Sequence, residues 1–175
     1  MYSSEIEINK SEFRGILDFY VLRKVQEDLK QYGYEYKIHE LFESISDIEK
    51  INMYTITSII LFSVSRYEKI NKKIIETEFI EDKRDIEKFS GIFQYINELL
   101  EKCMPLKQIE DDDLFEEFED EKDKKDWDFD YMEYLWYSVL KRTDDFYKIT
   151  PKVFFSQMSI WKKVNNVKEE KVQYL

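Results

Sequence analysis

Over most of this chain the apolar positions recur at three- and four-residue intervals, the spacing of one helix face. Phe13, Ile16, Leu17, Tyr20, Val21, Val25 and Leu29 form the first stripe. Ser11 stands where a cap would start it and Gly33 where a left-handed residue would end it, so a helix over 11–32 is predicted. Ser46, with Glu49 three residues on, forms a capping box for a short helix. Asn52 is placed to cap a longer helix carrying Ile56, Ile59, Ile60, Val64, Tyr67 and Ile70. A third stripe, Ile86, Phe89, Phe93, Ile96, Leu99, Leu100 and Cys103, is stopped by Pro105. Only residues 74–80 (IIETEFI) read as strand-like, and one short strand has nothing to pair with. Residues 1–107 are therefore expected to form a helical bundle of about four helices.

The pattern resumes after residue 126. In DWDFDYMEYLWYSVLKR, Trp127, Tyr131, Met132, Leu135, Trp136 and Val139 read as one apolar face. Thr143 is placed to cap the turn DDFYK, and Thr150–Pro151 signals the start of a last helix through Val153, Phe154, Met158, Trp161 and Val164. Between the two apolar regions, residues 108–126 hold eleven acids against three lysines, a net charge of −8. The flanking regions carry only −4 and +1, so most of the chain's −11 lies in this tract. Self-repelling and poor in apolar groups, it reads as a flexible linker, with Leu114, Phe115 and Phe118 at helical spacing inside it. The expected fold is all-α, with a helical bundle at 1–107, an acidic linker at 108–126 and a short-helix module at 127–175.

Candidate chemistry is sparse. Three widely separated glycines, Gly15, Gly33 and Gly91, exclude a P-loop, a dinucleotide fingerprint and a nucleophile elbow. One Cys and one His exclude the usual zinc sites, a redox pair and a disulfide within the chain. The carboxylates at 110–123 lack the glycine of a calcium loop. His39 reads as an ordinary surface histidine. Cys103 sits on an apolar face near a helix C-terminus, where the dipole opposes a thiolate. No catalytic residue, metal or cofactor is expected. MYSSEIEINK lacks a basic leader region, and the apolar run 56–64 falls short of the roughly 20 residues that span a bilayer, so a cytoplasmic protein without a membrane partner is expected. Lys152, Lys162, Lys163 and Lys168 are too few beside the acidic tract to favour nucleic acid.

Aromatic density is the unusual feature of the C-terminal region. Its rings exceed what three short helices bury among themselves, so they either pack against the first region or are held for a partner, as rings enriched at interface cores are. The succession DWDFDYMEYLWYSVLKRTDDFYKITPKVFF at 126–155 resembles the C-terminal segment of bacteriophage tail assembly chaperones, the long forms found in long-tailed phages and phage-tail-like bacteriocins. The matching positions are Trp127, Phe129, Trp136, Phe146, Tyr147, Thr150, Pro151, Phe154 and Phe155. The resemblance implies a protein without catalytic activity that works in the host cytosol during virion morphogenesis and is absent from the mature particle. Its N-terminal block would self-associate and coat the tape-measure protein, and its C-terminal segment would bind the tail-tube protein through those nine residues. The rival expectation is an acidic inhibitor or DNA mimic acting as a phage anti-defence factor, which needs its carboxylates on a rigid face.

Overall fold

A computed structural model describes residues 2–41, 52–81, 86–105 and 126–165. The Ser46–Glu49 box, the acidic tract as far as residue 125 with Leu114, Phe115 and Phe118, and Lys168 lie outside the described residues. What is described is mostly helical, as expected, with one addition.

That addition is an antiparallel hairpin of β1 (Ser4–Ile8) and β2 (Ser11–Gly15), paired from Ser4 opposite Gly15 to Ile8 opposite Ser11. Asn9 and Lys10 form the two-residue turn, with φ of 48° and 66°, the left-handed pair that matches strand twist. Ser11 therefore opens a strand instead of capping a helix, which corrects the predicted start at residue 11. The cause is a period-two pattern: Ile6 and Ile8 point into the core while Glu5 and Glu7 face water, and Glu5 pairs with Arg14 across the strands.

Helix α1 (Phe19–Gln31) begins only at Asp18, whose side chain accepts the Val21 N–H at 2.9 Å. It ends, as predicted, at Gly33, whose φ of 84° suits a residue without Cβ. Helix α2 (Met53–Glu68) is capped by Asn52 as expected and is buried almost all round. Helix α3 (Lys72–Glu81) takes up the residues 74–80 that read as strand-like. Asn71 caps it through the Lys73 N–H, and it packs on α2 through Ile75 while Ile74 and Ile80 stay exposed. Helix α4 (Ile86–Cys103) ends just before Pro105 and turns Ile92, Tyr95, Ile96, Leu99 and Cys103 inward, leaving Phe89 partly in solvent. Strand β2 lies on α2 and β1 on α4.

The C-terminal residues form α5 (Phe129–Tyr134), which runs into a π-helical turn (Leu135–Val139), then a 3-10 turn (Phe146–Lys148) and α6 (Pro151–Val164). The 3-10 turn packs on α1 and α6 on α4. A single cluster of buried apolar residues runs from Ile6 of the hairpin to Met158 of α6. The regions on either side of the acidic tract thus share one core.

Gly15 is closely packed in that core: a methyl group there would clash with the Tyr95 hydroxyl, which is held against Ser63 at 2.7 Å in a fully buried position. Gly15→Ala is expected to lower stability by about 1–3 kcal/mol through overpacking. In denaturant titrations Tyr95→Phe, which removes the clashing oxygen, should recover part of that loss in the double variant; strictly additive losses would refute the contact.

Candidate functional site

Four of the nine residues assigned to partner binding converge on Phe19, the first residue of α1. Its ring stacks on Phe146 at 4.3 Å, meets Phe129 and Phe154 edge-on at 5.8 Å, and lies 6.2 Å from Trp127. Phe155 joins the group between Trp127 and Phe154, each 5.3 Å away. Trp136 is 1% exposed, and its indole N–H donates to the Asp144 carbonyl at 2.9 Å. Phe146, Phe154, Phe155, Thr150 and Pro151 are buried as well.

Polar contacts tie the same segment to α1 and α2. The Phe19 N–H donates to the Ile149 carbonyl at 3.1 Å. Arg66 reaches from α2 to the Asp18 carboxylate at 2.8 Å and to the Tyr147 carbonyl at 3.3 Å, while Arg23 donates to the Tyr147 hydroxyl at 2.9 Å. Burial pushes the Asp18 carboxyl above its ordinary value, against the pull of the Val21 N–H and the Arg66 guanidinium. Two expected caps differ from the structure. Asp145, not Thr143, caps the 3-10 turn, by accepting the Tyr147 N–H at 3.0 Å. Thr150 precedes Pro151 at the start of α6, but its buried hydroxyl caps nothing and has no hydrogen-bond partner among the described residues.

Two of the nine reach an open surface. Trp127 and Phe129 are half-buried and line a cleft of about 620 Å³ between α1 and the start of α5. Its acidic edge is made by Asp126, Asp128 and Asp130. Asp126 fixes that edge, accepting the Ile38 and Trp127 N–H groups through Oδ1 and the Gln26 amide through Oδ2, each at 2.8 Å. Asp128 caps α5 through the Tyr131 N–H.

Beyond the cleft edge α5 carries aromatic residues that the sequence reading did not assign to a surface. Tyr131, expected on the apolar face, is 56% exposed, and Tyr134 is 57% exposed. The two rings stack at 6.4 Å with 18° between their planes. Tyr137 continues the row, and its hydroxyl accepts the Phe146 N–H. The three-residue spacing of 131, 134 and 137, with Glu133 between the first two, was the available signal. Met132 and Trp136, not Tyr131, make the buried side.

Elsewhere Cys103 is buried, its thiol donates to the Tyr2 carbonyl, and burial pushes its pKa up to about 11. Among the described residues no group of acids, His and Cys is arranged to hold a metal, and no helix is long and apolar enough to cross a membrane. Family models, curated proteins and solved structures offer no match to this chain.

Two measurements follow. Because the Thr150 hydroxyl is buried and unpartnered, Thr150→Val is expected to be neutral or to raise stability by up to about 1 kcal/mol, where a lost cap would lower it by a similar amount. The pH dependence of Asp18 has a defined sign. A carboxyl raised above 3.8 in the folded state gives up its proton more readily when unfolded, so its contribution falls as pH rises from the ordinary carboxylate range through the raised value. The stability of wild type relative to Asp18→Asn should therefore decline over that interval, and a gap independent of pH would contradict it.

Proposed function

We propose that the protein is a non-catalytic tail assembly chaperone that coats a tape-measure protein and recruits tail-tube subunits during tail assembly. What supports the reading is the agreement between the residues that carry the resemblance and a folded unit. The aromatic helix, acidic turn, aromatic pair and Thr-Pro helix start follow one another as α5 with its π turn, Asp144–Asp145, the 3-10 turn and α6. The observation that carries it furthest is a division of labour among the rings. Phe146, Phe154, Phe155 and Trp136 lock the segment to α1 and its surroundings, while Trp127, Phe129, Tyr131 and Tyr134 border solvent. A surface held rigid in this way loses little conformational entropy on binding.

In this reading the chain acts by binding and release, so affinities in the micromolar range, about −8 kcal/mol, suit a partner that must later be handed on. Many copies along one tape-measure chain would raise the local concentration of tube subunits. The test is co-expression of the full chain with the tail-tube protein and, separately, with tape-measure fragments encoded beside it. Both partners are expected to co-purify with the chain, and tape-measure fragments should stay soluble only in its presence. If neither partner co-purifies, the reading is wrong.

A further inference from the structure

Among the described residues around the start of α5 the unpaired charge has one sign. Asp130, exposed and one turn before Tyr134, and Glu133, half-buried beside Tyr134, form no ion pair among the described residues. The bases across the cleft, Arg23, Lys30 and Lys37, are already engaged, Arg23 with Glu27 and Tyr147 and Lys30 with Glu35. Lys141 and Arg142 come after the π turn, at the other end of the element, and Arg142 is committed to Gln157. The acid-rich stretch of sequence ends at Asp126, which is fastened to the cleft edge by three hydrogen bonds.

The rings select the complementary group. A tyrosine face attracts a guanidinium or ammonium, and this chain uses that contact internally, with Arg66 4.5 Å from the Tyr20 ring and Arg23 5.7 Å from that of Tyr147. Among the described residues neither the Tyr131 nor the Tyr134 hydroxyl has a hydrogen-bond partner, so both are free to bond across an interface. The same acidic face of a second copy would be repelled here, and so would a nucleic acid backbone.

We propose that the Tyr131–Tyr134 face of α5, edged by Asp128, Asp130 and Glu133, is the docking surface for the tube subunit, and that it receives a patch of lysine and arginine on that subunit. The inference rests on the chaperone reading and adds to it the surface and the chemistry of the partner. Encounter is steered by charge, and the stacked rings then hold the complex by burying flat, rigid area around a cation.

The experiment is a calorimetric titration of the full chain with purified tube protein. Wild type is compared with Tyr131→Ala/Tyr134→Ala and with Asp130→Lys/Glu133→Lys. Asp130, Tyr131 and Tyr134 are exposed and Glu133 is half-buried, so thermal unfolding should change little and serves as the check on folding. The tyrosine pair should weaken binding about 30-fold or more, as for interface hot spots. The charge reversal should weaken it about tenfold at about 50 mM salt and less at about 300 mM, because screening removes what the charges contribute. Wild-type affinity should itself fall over the same salt range. If wild type binds and the folded tyrosine variant binds equally well, the surface is elsewhere while the chaperone reading stands. If affinity ignores salt and the charge reversal, the basic partner is ruled out. If wild type does not bind at all, both the surface and the capture role fall.

Discussion

The first turn of α1 is the joint on which the rest of the described structure depends. A helix begins with N–H groups that have no partner inside it, and in a buried start each must find one elsewhere. Here the Val21 N–H is taken by the Asp18 side chain and the Phe19 N–H by the carbonyl of Ile149, from the far end of the chain. Arg66 then bridges Asp18 and Tyr147, so the same joint also holds α2. The Phe19 ring projects into the space that these contacts define and is covered by four rings from the C-terminal segment. Helix start, ion pair and aromatic cluster are one arrangement, and each is poorly satisfied without the others. An arrangement built from such distant residues requires long-range closure, and its cooperativity follows from that requirement.

What could be read in the sequence was whatever is encoded locally. Asn52 capping α2, Gly33 ending α1, Pro105 beyond α4 and Thr150–Pro151 opening α6 are all signals that act within one turn of where they stand. The hairpin was hidden because its turn is Asn-Lys without glycine, and because Phe13 falls in phase with the following helix stripe. Residues 74–80 misled through a β-branched composition, although α3 needs only Ile75 to bury itself. The Thr150 signal correctly located a helix start while its hydroxyl plays no part in it, because Pro151 and the backbone suffice.

The C-terminal rings show the limit of composition more sharply. A surplus of aromatic residues announces extensive burial, yet it does not say against what. Half of the answer lies in Phe19, a residue near the other end of the sequence whose surroundings no local window contains. The distinction between rings that build and rings that are offered became visible only once the inner side of α5 was known. Tyrosine at 131 and 134, where phenylalanine would have suited a core, was the chemical hint.

The π turn that follows α5 gives this surface an unusual dependence. In the segment Leu135–Val139 the Leu140 N–H reaches back to the Leu135 carbonyl, so the coil holds one residue more per turn than an α-helix. Trp136, inside that turn, is anchored from below by Asp144. Everything on α5 is therefore oriented by counting residues from a fixed indole. Removing one residue from the turn would restore regular helix over about the same rotation, so the two tyrosines would still face outward. A deletion is thus a smaller event at this point than inside the regular helix beside it, where it would turn the upstream side chains by about 100°.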